Sequence, residues 1–217
     1  MKRSLILIAT LIVSLTTAFL WGCGGGGGTP GQPGSQGTED SSITIDATLT
    51  PFYLEGNTFS VDVHQIIDCD PIQPGNQTET LATHLAILRV QTRPIDPNTN
   101  SNFEQKTLFV EKYTIEYRRS GDSIGAPPIL TDTRRETIVI PPAPSIVETT
   151  IVLVDLIRKD QYLIDITSGQ YASSNSFINN YTATFTFEGK NENGTPFVFQ
   201  AQTNFEIGFF DYCDASE

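Results

Sequence analysis

The C-terminal part of the chain carries the pattern that most restricts its fold, a strict alternation of apolar and polar side chains. Two alternating runs between positions 181 and 207 are separated by Asn193-Gly194, a pair that favours the positive φ of a hairpin turn. The apolar positions are Tyr181, Ala183, Phe185, Phe187, Phe197, Phe199, Ala201, Phe205 and Ile207. A slip of one residue would place the phenylalanines in water, so the pattern predicts a hairpin of fixed register with an aromatic inner face.

Six further strands are predicted upstream from shorter alternating or apolar runs, separated by turns rich in Gly, Pro and Asn. These strands cover residues 41–50, 59–64, 83–93, 107–119, 134–140 and 146–157. The runs 83–93 and 146–157 are apolar on both faces and are expected to be central, whereas Pro141-Pro142 suits a sheet edge. In the fourth strand, one face is expected to hold Phe109, Tyr113, Ile115 and Tyr117.

The segment 158–176 is expected to be irregular, with room for one helical turn. About eight strands without a long helix predict an all-β fold, an antiparallel β-sandwich. In strand number and spacing it resembles the immunoglobulin-like or fibronectin-type domains of secreted bacterial proteins. The Cys…Trp…Cys pattern of antibody domains is absent, because Trp21 is the only tryptophan.

The N-terminus has the layout of a signal peptide, with Lys2 and Arg3 before an uncharged run from Leu5 to Trp21. The tetrapeptide Leu20-Trp21-Gly22-Cys23 then resembles the lipobox of bacterial lipoproteins. Leu20, Gly22 and Cys23 match that pattern, whereas Trp21 stands where a smaller residue is usual. The resemblance implies cleavage before Cys23, a thioether-linked diacylglycerol on its sulfur, and an acylated new amino terminus.

Three other interpretations of the N-terminus stay open: an ordinary secretory signal, an uncleaved membrane helix, and a buried core helix. The uncharged run of 17 residues falls short of the ~20 that a spanning helix needs. Five glycines, Gly24–Gly28, follow at once and disfavour a continuing helix. The domain prediction is therefore a signal peptide over 1–22, a lipid-anchored Gly-rich linker over 23–40, and one β-sandwich domain over 41–217.

The chain is acidic, which excludes some partners. Its formal net charge of −12 becomes −14 when Lys2 and Arg3 leave with the signal peptide. Such a chain is not expected to bind nucleic acid or to adsorb directly to anionic lipid. The pairs Arg118-Arg119 and Arg134-Arg135 are short, and we expect them to be exposed strand ends.

Two cysteines remain after Cys23, and an exported chain with an even pair favours a disulfide between Cys69 and Cys213 over two free thiols. The bond would bring together four nearby carboxylates: Asp68, Asp70, Asp211 and Asp214. Hard oxygen ligands at this density suit Ca²⁺. The alternative is that these carboxylates simply face water around an exposed loop.

No catalytic site is assigned. His64 and His84, the only histidines, lack the spacing of zinc ligands and are expected on a strand's polar face and at a strand's start. Tyr53, Tyr162, Tyr171 and Tyr212 are expected in loops, as contact residues or as caps of the core.

The sequence therefore predicts a non-enzymatic, lipid-anchored envelope module that binds a protein or glycan partner. The alternatives are an envelope hydrolase that uses paired carboxylates and a structural subunit of an outer-membrane assembly. By resemblance to enterobacterial lipoproteins, Gly24 in place of Asp after the lipidated cysteine favours the outer membrane. Whether the domain faces the periplasm or the exterior is left open.

Overall fold

A computed structural model of the chain describes residues 36–37, 43–52, 59–64, 66–67, 77–78, 81–94, 106–121, 125–171 and 178–210. These residues are mainly β, as the alternation predicts, with twelve strands and one short helix. The strands are β1 (Gln36–Gly37), β2 (Ile43–Pro51), β3 (Phe59–Asp62), β4 (Ile66–Ile67), β5 (Gln77–Thr78), β6 (His84–Pro94), β7 (Leu108–Arg119), β8 (Asp132–Arg134), β9 (Ile138–Ile140), β10 (Ser145–Val154), β11 (Asn179–Asn191) and β12 (Pro196–Gly208). The helix is α1 (Leu156–Thr167).

Two sheets carry most of these strands. The smaller has the order β1-β2-β6-β10, and the larger, curled into a half-barrel, has the order β3-β12-β11-β7-β8 with β9 also on β7. A separate pair joins β4 to β5. The prediction of a central strand is confirmed for β6. It is wrong for β10, which ends its sheet in the described part of the chain. The predicted strand 134–140 is split into β8 and β9, both at the edge beside β7.

The predicted hairpin is confirmed. β11 and β12 pair antiparallel with Phe187 opposite Phe199, and these two rings stack with centroids 4.7 Å apart. Gly194 has φ +84° in the turn, a conformation that side chains other than glycine disfavour. All nine apolar positions of the pattern are buried, so local alternation alone sets the register of this part of the core.

A β-bulge in β7 overturns the predicted position of Phe109. Glu188 pairs with Lys112 and Gly189 with Val110, which leaves Glu111 as the extra residue. The insertion reverses the alternation, so that Phe109 is exposed while Tyr113 and Ile115 stay buried. The bulge also brings backbones together: a Cβ on Gly189 would meet the Phe109 carbonyl oxygen and lie 2.8 Å from Val110 Cα.

The larger sheet is not wholly antiparallel, which corrects the predicted sandwich. β3 pairs parallel with β12, with Phe59 opposite Phe205 and Val61 opposite Ile207. The pairing joins strands that are separated by most of the described chain, a long-range choice that local patterns do not contain.

The prediction that residues 158–176 are irregular with one helical turn is wrong, because helix α1 covers Leu156–Thr167. It begins at Leu156, which the sequence pattern assigned to a strand, because Asp155 caps it by accepting a hydrogen bond from the Arg158 N–H at 2.9 Å. Its inner side buries Lys159, Tyr162 and Ile166. Among the residues described here, this helix is too short and too polar to cross a membrane.

Candidate functional site

Helix α1 lies at one end of the domain, which we call the helix end. β10 runs directly into α1 there, and the Asn179 Nδ2 of β11 donates to the Tyr162 hydroxyl at 2.7 Å. Three groups of polar side chains collect at this end: an ion cluster, a buried polar layer, and the junction of β3 with β12.

The ion cluster consists of Asp132, Arg134, Asp155 and Arg158. Arg134 Nε lies 2.7 Å from Asp132 Oδ2, and Arg134 Nη2 lies 2.5 Å from Asp155 Oδ2. Arg158 contacts the same two carboxylates, at 3.2 Å from Asp132 Oδ1 and 2.9 Å from Asp155 Oδ2. The cluster therefore links the edge strand β8 to the start of α1.

This ion cluster is shielded from water and satisfied in its hydrogen bonds. The four side chains are only 10–30 % exposed, and Arg158 also donates to the carbonyls of Leu130 and Thr131 at 2.9 and 2.7 Å. Burial acts to lower the pKa of Arg134, but the hydrogen bond and charge of Asp132 outweigh it and raise that pKa. Each of the two carboxylates is thus held by both guanidinium groups.

Two tyrosines of β7 cover the free edge of β10 beside this cluster. The Tyr117 hydroxyl donates to the Leu153 carbonyl at 2.6 Å, and the Tyr113 hydroxyl accepts from the Val152 N–H at 3.2 Å. Burial raises the pKa of Tyr113 to about 12 and that of Tyr117 further, so both stay protonated. These two hydrogen bonds tie β10 of the smaller sheet to β7 of the larger sheet.

The buried polar layer lies under α1. His84, at the start of β6, packs edge-on against Phe59 with ring centroids 6.4 Å apart. Burial, and secondly the charge of Lys159, lower the pKa of His84 to about 4. Tyr181 donates to the Pro127 carbonyl and packs edge-on to Tyr162. His84 is thus neutral at pH 7, in a layer that closes the core.

The junction of β3 and β12 is held by Asp62. Its Oδ1 accepts hydrogen bonds from the N–H groups of His64 at 2.9 Å and Phe210 at 3.2 Å, and the His64 ring stacks on Phe209. The side chain is 5 % exposed, and its Oδ2 has no hydrogen-bond partner in the described segments. The segment that follows β3 and the segment that follows β12 therefore leave the sheet side by side.

The predicted site residues lie outside the described residues. They are Cys23, Cys69 and Cys213, with Asp68, Asp70, Asp211 and Asp214. The nearest described positions, Ile67 and Phe210, immediately precede the two acidic segments. Within the ranges that the structure describes, no group of three or more His, Cys, Asp or Glu side chains is placed to hold a metal ion.

Other sequence predictions fall on described residues. β6 begins at His84 as expected, whereas Tyr162 is a buried helical residue that caps the core rather than a loop contact. Arg118 is an exposed strand end as predicted, but Arg134 belongs to the ion cluster. This cluster was not predicted from the sequence; its local signals are Asp155 three residues before Arg158, a helix-capping pattern, and Asp132 two residues before Arg134.

A Gly-x-Ser-x-Gly pattern is also present, at Gly121-Asp122-Ser123-Ile124-Gly125. In serine hydrolases this pattern forms a sharp turn between a strand and a helix. Here β7 precedes it, but the chain from Gly125 to β8 contains no helix. Ser123 itself lies outside the described residues, and the sequence places both histidines before it, so the pattern is not assigned a catalytic role.

Comparison of the chain with protein-family models, curated proteins and solved structures finds no match.

Proposed function

We propose that the chain is a bacterial envelope lipoprotein, anchored through Cys23, whose β domain is a non-enzymatic binding module. The observation that carries the proposal is Leu20-Trp21-Gly22-Cys23 after a basic and then uncharged segment, followed by a glycine-rich stretch and a folded β domain. Two or three acyl chains on one cysteine would hold the domain at a bilayer without a spanning helix. Its partner is a protein or glycan, and its location is the outer membrane.

The domain in this proposal is an immunoglobulin-like sandwich variant. Its two main sheets and its aromatic core support this proposal, in which the parallel β3–β12 pair and helix α1 are additions to the immunoglobulin-like plan. Binding residues in sandwiches commonly lie in loops at the ends. The loops at the helix end and at the hairpin turn are therefore the proposed contact regions.

A non-enzymatic role is favoured over the hydrolase by the state of the carboxylates at the helix end. Asp132 and Asp155 converge, as a hydrolase would need, but each is bound by both arginines of the ion cluster. A glycosidase needs one carboxylic acid free to protonate the leaving group.

The disulfide between Cys69 and Cys213 and the calcium site at Asp68, Asp70, Asp211 and Asp214 remain part of the proposal. Support comes from the β3–β12 junction, because the segments that lead to the two cysteines leave parallel neighbouring strands. The unpartnered Asp62 Oδ2 adds an oxygen near the start of both segments. If the melting curves recorded with and without Ca²⁺ are identical, the proposed calcium site is excluded.

Mass spectrometry of the protein from its native membrane tests the anchor. We expect an N-terminal Cys23 carrying diacylglycerol and an acyl chain, and a Cys23→Ala variant that leaves the membrane fraction. A retained Met1 or an unmodified Cys23 would overturn the anchor. Affinity purification with the lipid intact then separates the two non-enzymatic roles: a stoichiometric outer-membrane assembly indicates the structural subunit, and a dissociable partner indicates the binding module.

A further inference from the structure

Strand β10 forms an edge of the smaller sheet, and only one of its two sides is used in that sheet. β6 pairs with one side along Ser145–Val154, and no strand in the described part of the chain pairs with the other side. With ten residues, β10 is much longer than β8 and β9, the three-residue strands at the edge of the larger sheet. Proteins commonly keep their edge strands short to avoid pairing with another chain, and β10 does not follow that rule.

Two hydrogen bonds fix which backbone groups of β10 point outwards. The Val152 N–H donates to the Tyr113 hydroxyl of β7, so it points away from β6. The Ser145 N–H donates to Thr92 Oγ1 on β6, so it points the other way. Successive residues of a strand direct their N–H and C=O groups to opposite sides, and the register to β6 has no shift before Val152. The outward-pointing groups before Val152 are therefore those of Ile146, Glu148 and Thr150.

The last part of this outer edge is covered, whereas the first part is open. Two tyrosine hydroxyls of β7 occupy the Val152 N–H and the Leu153 carbonyl. The outward groups of Ile146, Glu148 and Thr150 bond to no residue that the structure describes, and their side chains are exposed. Residues 145–150 also contain no Pro, Lys or bulge, features that keep edge strands from pairing. Three N–H and three C=O groups are thus available to another strand.

The side chains of β10 indicate what kind of strand fits this edge. Val147 and Thr149 lie on the inner face of the sheet and are only partly buried, so apolar residues of an added strand would extend the core there. Glu148 lies on the outer face and is exposed, which favours a basic residue opposite it. β6 meets the same requirements on the other side of β10, with Arg89 opposite Glu148 and Val90 opposite Val147.

We propose that the outer edge of β10 binds an extended, basic segment of a partner protein, which adds an antiparallel strand beside residues 145–150. The proposal rests on the binding-module function proposed above and makes the partner a protein rather than a glycan. A second copy of the chain fits this edge less well, because two-fold pairing of residues 146–150 would set Glu148 against Glu148 and join two acidic chains. Main-chain hydrogen bonds supply the affinity, and the alternating side chains supply the specificity.

A peptide that copies part of β6 is the probe for this edge. It has blocked ends and the sequence of residues 87–93, Ile-Leu-Arg-Val-Gln-Thr-Arg, with two positive charges. When its first arginine lies opposite Glu148, the N–H of that arginine faces β10, and the N–H of the next residue, valine, faces away. Two forms of the peptide, N-methylated at the arginine or at the valine, are therefore a matched pair.

Fluorescence polarisation with the lipidated full chain in detergent measures the binding of the labelled peptides. We expect the unmodified peptide to bind. The form methylated at the arginine should bind at least about tenfold more weakly, because the methyl group removes a hydrogen bond to β10. The form methylated at the valine should bind nearly as well as the unmodified peptide.

Two substitutions in β10 test the same edge from the side of the protein. Glu148→Pro removes an outward N–H that makes no bond within the described domain, whereas Glu148→Gln removes only the charge. We expect Glu148→Pro to weaken binding of the unmodified peptide at least about tenfold, and Glu148→Gln about threefold. Circular dichroism checks that both variants fold. If Glu148→Pro does not fold, the two methylated peptides decide, because they use the unchanged chain.

The outcomes separate this proposal from the proposed function. No binding of the unmodified peptide up to about 1 mM, or equal weakening by the two methyl groups, overturns the β10 edge and leaves the anchored binding module in place. A full chain that is dimeric, and that Glu148→Pro makes monomeric, overturns the choice of partner in favour of a second copy. Failure of the binding-module function is seen separately, as a stoichiometric outer-membrane assembly in the affinity purification.

Discussion

Substitution of His84 by Gln should reduce the acid sensitivity of the domain. The half-buried imidazole packs against Phe59, and burial first, then the charge of Lys159, lower its pKa from 6.5 to about 4. The folded protein therefore excludes a proton that the unfolded chain accepts. Stability from the neutral imidazole is complete above pH 6.5, falls as the pH drops towards 4, and changes no further below that.

The size of the effect follows from the two pKa values. At about 1.4 kcal/mol for each pH unit between 6.5 and about 4, His84 should remove about 3 kcal/mol from the free energy of unfolding. Carboxylates also titrate in this range, so the informative quantity is the difference between wild type and His84→Gln.

That difference is measured by urea unfolding of a chain that starts at Gly24. Unfolding is monitored by circular dichroism at several pH values. We expect the wild type to lose about 3 kcal/mol more than His84→Gln between pH 7 and pH 4. The Lys159→Met variant should lose less free energy of unfolding between pH 7 and pH 4 than the wild type. The reason is that it removes the charge that lowers the pKa of His84 and leaves the burial of His84 in place. Parallel stability curves for wild type and His84→Gln would refute the buried, neutral histidine.

Three further changes test the packing of the domain. Gly189→Ala should cost about 1–3 kcal/mol in urea unfolding, because its Cβ meets the bulged backbone of β7; a neutral result would contradict the close approach. Arg158→Met should cost about 3 kcal/mol or more by leaving two shielded carboxylates short of a partner, whereas Arg89→Met, in an exposed pair, should cost at most about 1 kcal/mol; equal losses would argue against a cooperative cluster. Cys69→Ser and Cys213→Ser should each lower the free energy of unfolding by up to ~4–5 kcal/mol, and by the same amount, because either change removes the same disulfide. A mass of the wild-type protein that shows two free thiols would exclude the disulfide.

The sequence predicted the parts of the fold that depend on neighbours along the chain. The β11–β12 hairpin follows from alternation and from Asn193-Gly194, because register and turn are local properties. Phe109 was misplaced because the bulge at Glu111 is coupled to Gly189 on another strand.

Long-range choices were beyond local patterns for the same reason. The place of β3 beside β12 depends on a pairing between distant segments. In the ion cluster, Arg134 and Asp155 are 21 residues apart, and no local pattern relates these two residues to each other. Helix α1 was the avoidable miss, since Asp155 is a capping residue and Lys159, Tyr162 and Ile166 follow at helical spacing.

The central place of β12 bears on how the molecule can be made. In the larger sheet β12 lies between β11 and β3, so the strand synthesised last in the described chain must slot in beside one of the earliest. Ribosomes release the N-terminal residues first, and until residues 196–208 have emerged, β3 has no partner in this sheet. The larger sheet can therefore close only after residues 196–208 have left the ribosome, so the order of synthesis leaves β3 waiting for a neighbour made more than 130 residues later.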